Sequence, residues 1–164
     1  MPDTSAAPLA ELNTSIAVDL EQLPEISHTL EDFWQLVDRT VSPIGPVCGA
    51  RLRMEFDMAV WEVGTNIVRH GHPPRMGMSN LRMELRLRLH DDRVEAQFAD
   101  RGVRWVEGPT DSERTLCTED VLCLPESGLG LHIVRRVLDE FSYRRTSDGT
   151  NHWALTKLLR PASQ

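Results

Sequence analysis

Residues 59–73 read AVWEVGTNIVRHGHP. Apolar residues recur three and four apart, the period of a helix, and Gly71 followed by Pro73-Pro74 closes it. Yet Glu62, Asn66 and His70 fall at intervals of four and so share one stripe of that helix. Extended upstream to about Val47, the helix carries one apolar stripe of Leu52, Phe56, Ala59, Val60, Val63 and Ile67. Met54, Met58, Trp61, Thr65 and Val68 form a second. The polar wedge between them is narrow, which predicts a central helix packed on two sides. A carboxylate and an amide one turn apart can serve a single ligand: the carboxylate can accept a proton and the amide oxygen can ligate a hard cation. Taken alone, the pair also reads as a solvated stripe beside a core helix. Gly64, in mid-helix, costs about 1 kcal/mol relative to Ala and points to close packing there.

Working outward, LRMELRLRLH at 81–90 alternates strictly, with Leu81, Met83, Leu85, Leu87 and Leu89 on one face and Arg82, Glu84, Arg86, Arg88 and His90 on the other. That is an antiparallel strand with one wet face. Asp91-Asp92 turns the chain, and the return strand puts Val94, Ala96 and Phe98 inward, so that Asp100 continues the inward face. FSYRRTS and NHWALTKLL flank Asp148-Gly149 and read as a second hairpin. Before it come a long irregular stretch, about 103–127, of the kind that forms lids, and a helix, LGLHIVRRVLDEF. Upstream, residues 13–20 alternate weakly as a first strand; Pro24-Glu25 opens a helix with Ile26, Leu30, Phe33, Leu36 and Val37 on one side; Ser42 to Pro46 stop it. Residues 1–12 are expected to be disordered and 13–164 to form one domain. The order strand, helix, helix, hairpin, loop, helix, hairpin predicts an α+β, two-layer α/β sandwich with a mixed, mainly antiparallel sheet and helices on one face.

Composition sets the outer bounds. The chain has 164 residues, 40% apolar and 26% charged, as in ordinary globular domains. Its net charge of -7 argues against general affinity for nucleic acid and leaves room for a partner with a basic patch. No apolar run approaches the ~20 residues of a membrane span, and the first residues lack a secretory pattern. A cytoplasmic protein is expected, with Cys48, Cys117 and Cys123 reduced.

Two further motifs accompany Glu62-x-x-x-Asn66. Asp100-Arg101-Gly102 ends an inward strand; a carboxylate there can accept from an amino group, and Gly102 lets a flat ring approach the backbone. Ser127-Gly128-Leu129-Gly130-Leu131 opens a helix, where bare N–H groups and the positive dipole end suit phosphate. Singly, these also read as a turn and a flexible helix start. Together, in this order and in these elements, E-x-x-x-N, D-x-G and G-L-G-L resemble the asparagine box and the two glycine boxes of the GHKL ATPases, which share the Bergerat ATP-binding fold. EVGTNIVRHGHP is similar to the asparagine box of bacterial anti-sigma factor serine kinases of partner-switching systems. The resemblance covers roughly residues 13–160. Sensor histidine kinases share the boxes but need a phosphoacceptor helix, and the gyrase and chaperone relatives carry further domains.

The resemblance implies ATP and Mg²⁺ as ligands. It makes Glu62 the base that deprotonates a protein serine, and Asn66 the Mg²⁺ ligand. Asp100 would accept from the adenine 6-amino group beside Gly102, and Gly128, Leu129, Gly130 and Leu131 would offer N–H groups to the phosphates. Thr150 matches a threonine near adenine, and His70 matches a position near the nucleotide, with a helix-terminal histidine as the alternative. Arg101, Arg104 and Arg114 are candidates for a phosphate-contacting lid arginine. Arg104 stands where the family often has a second glycine, and Val63-Gly64 where Ala-Val is usual. The implied function is a protein-serine kinase and anti-sigma factor that phosphorylates a STAS-domain anti-anti-sigma protein, sequesters a sigma factor and forms a homodimer. The alternatives are a switch-type kinase that activates a phosphatase, and a nucleotide-regulated binding module without kinase activity.

Overall fold

A computed structural model describes residues 7–41, 48–71, 81–106 and 129–159. Strand β1 (Ala10–Ala17) leads through a short 3-10 turn into helix α1 (Pro24–Thr40), then α2 (Ala50–His70). The hairpin β2 (Arg82–Leu89) and β3 (Arg93–Asp100) follows, and then α3 (Leu129–Val137), β4 (Glu140–Arg145) and β5 (Asn151–Leu158). The five strands form one sheet in the order β1-β2-β3-β5-β4. The α+β sandwich is thus as expected, with one difference: every strand pair among the described residues is antiparallel. The second hairpin joins the sheet through its later strand, β5, so β4 shares the direction of β3 but never pairs with it.

Register explains the core. Leu85 faces Phe98, Leu87 faces Ala96 and Leu89 faces Val94, while Phe98 faces Trp153 and Ala96 faces Leu155. All of these side chains are buried, under Phe33, Phe56, Val60, Val63 and Ile67 from the helices. Pro at the first helical position starts α1. In α2, Gly64 is where the helix presses hardest: a Cβ there would come within 2.5 Å of Ile26 Cδ1 and 3.4 Å of Phe98 Cζ. Close packing against α1 and β3 offsets the propensity cost of this glycine. Gly71 caps α2, its N–H donating to the Ile67 carbonyl, with an ordinary right-handed φ of -76°. Close approach reserves the position for glycine, since a Cβ would sit 2.5 Å from that same carbonyl oxygen.

Three expectations need correction. The first strand begins at Ala10, not Asn13, so residues 10–12, assigned to a disordered terminus, pair with β2 instead. Hydrogen bonding to Leu89, Arg88 and Leu87 overrides a Pro- and Ala-rich local composition. The second apolar stripe of α2 is packed only in part: Val68 is buried and Trp61 rests on the core, but Met54 is 63% exposed, and Met58 and Trp61 line an open cleft of about 540 Å³ against Trp34 of α1. His90, expected on the wet face, is buried. Its Nε2 lies 3.3 Å from Glu95, which also pairs with Arg88 and Arg93 and closes that corner of the sheet.

The β4–β5 connection is a three-residue loop, with Gly149 at φ 85° and Thr146 and Thr150 closing it through a 2.9 Å backbone bond. The Asp148 carboxylate accepts from the Thr146 hydroxyl at 2.5 Å and the Thr150 N–H at 3.1 Å. The Thr146 bond, then Thr150, holds its pKa down from 3.8 to about 2. A depressed carboxylate stabilises the fold above its unfolded pKa and loses that contribution as pH falls through its folded pKa. Thermal unfolding of the wild type should therefore weaken between about pH 4 and pH 2, and Asp148→Asn should flatten the profile in that window. An unchanged profile in the variant would remove this assignment.

Candidate functional site

The inward face of β3 ends on a carboxylate because the alternation runs one inward position, two residues, past Phe98. Asp100 is 3% exposed. Its Oδ1 accepts from the Gly102 N–H at 2.8 Å and from the Asn151 amide at 3.0 Å, and its Oδ2 accepts from the Trp153 indole N–H at 3.0 Å. The first of these bonds makes the D-x-G turn; the other two come from β5, whose inward face begins with Asn151 and Trp153. Asp100 and Asn151 are directly opposed in the sheet.

Asn151 is also buried. Its amide nitrogen faces only acceptors, namely Asp100, the Gly102 carbonyl at 3.3 Å and the Val103 carbonyl at 3.1 Å. Its amide oxygen accepts from the Tyr143 hydroxyl at 2.7 Å and from Arg145 at 2.8 Å. Because Arg145 has only donors, the amide can sit one way round. Arg145 also donates to the Gly102 carbonyl at 2.9 Å, and the Trp105 N–H donates to the Tyr143 hydroxyl at 3.0 Å. The Val103 N–H in turn donates to the Gly71 carbonyl at the end of α2. The stretch from Asp100 to Trp105 is thereby fixed on both sides, between the α2 terminus and the second hairpin. Trp105, Tyr143 and Trp153 close it with ring centroids 4.6 to 5.5 Å apart.

Glu62 and Asn66 lie half-buried on α2. Neither makes a hydrogen bond or ion pair to another described residue. Helix α3 packs on α2, and at Gly130 the two meet so closely that a Cβ would overlap Glu62 Oε2. The stripe carboxylate and the glycine-rich helix start are therefore brought together, and the second glycine of the G-L-G-L run is the space Glu62 occupies. Leu131 is half-buried in α3. His70 is exposed in the last turn of α2, beside Arg69. Thr150 lies in the hairpin loop, its N–H on Asp148, and it is the adjacent Asn151 that reaches Asp100. Arg101 and Arg104 are exposed. Gly128, Arg114, the side chain of Leu129 and most of the expected lid, from 107 to 127, lie outside the described residues, as do Cys117 and Cys123.

Asn151, Trp153, Tyr143 and Arg145 escaped the reading of the sequence. A signal existed for the first two: in NHWALTKLL, inward alternation counted back from Leu155 reaches Trp153 and Asn151. Their link to Asp100 needed the register, which sequence does not supply.

The site has three chemical parts. It offers a buried acceptor beside a glycine turn, a helix start with glycine at its second residue, and two half-buried polar groups whose oxygens can ligate a hard cation. Among the described residues no cluster of three acidic, histidine or cysteine side chains could hold a metal by itself.

Residues 16–157 match the family described as histidine kinase-like ATPase domain. The serine-protein kinase RsbW of Bacillus cereus (strain AH187) is 31% identical over 93 residues, 52% of this chain and 52% of that protein. The serine-protein kinase RsbW of Bacillus mycoides (strain KBAB4) is 30% identical over 93 residues, with the same coverage. The chain thus spans about half the length of the curated relatives it matches. Among solved structures, the SiaB–SiaC complex from Pseudomonas aeruginosa aligns with a TM-score of 0.49 at 16% identity, over 90% of this chain and 89% of that one.

Proposed function

Because this chain belongs to the histidine kinase-like ATPase domain family, we propose that it is an ATP-dependent protein-serine kinase of the partner-switching type. Its substrate in this reading is a STAS-domain anti-anti-sigma protein, and its second partner a sigma factor held by a homodimer. Family membership implies ATP binding; the partial likeness to serine-protein kinases supports the transfer. The observation that carries the reading is the meeting of Glu62 with Gly130, since it sets a carboxylate without a described partner against the helix start that would receive phosphates.

In the mechanism, Asp100 accepts from the adenine 6-amino group while Gly102 lets the ring lie on the backbone. N–H groups at Gly128 to Leu131 would hold the phosphates, and Asn66 would hold Mg²⁺ through its amide oxygen. Mg²⁺ held there would supply charge neutralisation at the phosphates, which phosphoryl transfer needs beside positioning. Glu62 takes the proton of the attacking serine hydroxyl as the γ-phosphoryl passes to that oxygen and ADP leaves, and Arg101, Arg104 or Arg114 contacts the phosphates. His70 and Thr150 border the nucleotide in this reading.

The protein incubated with γ-labelled ATP, Mg²⁺ and a STAS-domain protein should yield phosphoserine on the partner. ATP binding without transfer to any partner would favour a regulated binding module instead. Pull-down from native lysate separates the two kinase readings: a sigma factor supports sequestration, a phosphatase the switch-type variant. Among the described residues no helix is long and apolar enough to cross a membrane, and a cytoplasmic location is part of the proposal.

A further inference from the structure

We propose that Trp153 is the residue that gives this nucleotide site its selectivity for a 6-amino purine, acting through Asp100. The inference rests on the reading of Asp100 as the base-recognising acceptor. A carboxylate can rotate about its last bond, and selectivity for one donor depends on where its lone pairs point. Here each oxygen is held by a donor from the neighbouring strand: Oδ2 by the Trp153 indole N–H at 3.0 Å and Oδ1 by the Asn151 amide at 3.0 Å. Two such bonds on different oxygens fix the plane of the group before any ligand arrives, which is preorganisation.

Trp153 is 3% exposed and packed against Trp105, Phe141 and Tyr143, so its N–H cannot swing away. Asn151 is oriented in turn by Arg145 and Tyr143. The hydroxyl of Tyr143 also accepts from the Trp105 N–H, which ties the alignment of the carboxylate to the first residues after the D-x-G turn. Trp153 is a positioning residue in this account: it touches Asp100 and leaves the base contact to it.

The test compares binding of ATP with that of purine riboside triphosphate, which lacks only the 6-amino group. The wild type should prefer ATP by about tenfold or more, the worth of a hydrogen bond to a charged group. Trp153→Phe keeps an aromatic ring and removes the N–H. Replacement of Trp153 by 3-benzothienylalanine keeps the bicyclic shape as well, which guards against a folding defect. In both, the preference should shrink to below about threefold, mainly through weaker ATP binding. A purely structural role for Trp153 would weaken both ligands alike and leave the ratio unchanged; that result overturns the proposal. A wild type that binds the two ligands equally would instead overturn the underlying reading of Asp100.

Discussion

Replacing Glu62 by alanine is expected to lower phosphoryl transfer to the partner by about 10²- to 10⁴-fold while leaving ATP binding nearly intact. That range is what a positioned general base contributes. Retention of binding is expected because Glu62 makes none of the hydrogen bonds that hold Asp100, the base-recognising acceptor. The loss should therefore appear in kcat with little change in the affinity for ATP, the signature of an interaction made in the transition state. Stability should hold, because Glu62 is only half-buried and makes no hydrogen bond to another described residue. Single-turnover transfer, equilibrium binding of ATP and thermal unfolding on the same preparation check all three parts. Unchanged transfer would remove Glu62 as the base.

Asp100→Ala should cost both binding and fold. Three N–H donors, from Gly102, Asn151 and Trp153, converge on this carboxylate. All three residues are buried. Removing the acceptor strands them at about 1–3 kcal/mol per group, so a destabilisation of about 3–5 kcal/mol is expected. ATP affinity should fall by about 10- to 100-fold with the loss of a charged hydrogen bond. Asp100→Asn separates the two effects. Its amide oxygen still serves one side of the network, but its NH₂ points at a donor, so part of the stability returns while selectivity for the 6-amino group does not. Chemical denaturation and nucleotide titration of both variants give the two numbers directly.

Much of this was legible because period and position agree. Strict alternation in 81–100 both built the central hairpin and carried Asp100 to the inward face, where it is found buried. The spacing of Glu62 and Asn66 put them on one stripe of α2, as observed. What failed did so for tertiary reasons. Ala10 to Leu12 look like a frayed terminus until their pairing with Leu89 to Leu87 is known. Met54 reads as core because an apolar stripe does not say whether a neighbour covers it. Asn151 looks like turn chemistry beside Asp148-Gly149-Thr150, and only register shows that it faces Asp100 across the sheet. The sequence marked the carboxylate but not the residues that hold it.

The central claim is that Asp100, Asn66, Glu62 and the start of α3 serve one nucleotide. A crystal structure with Mg²⁺ and a non-hydrolysable ATP analogue tests it most directly. The account predicts the adenine 6-amino group within hydrogen-bond distance of Asp100, Mg²⁺ on the Asn66 amide oxygen, and the terminal phosphate between Glu62 and the N–H groups around Gly130. A nucleotide bound with its base away from Asp100, or its phosphates away from Gly130, would contradict it.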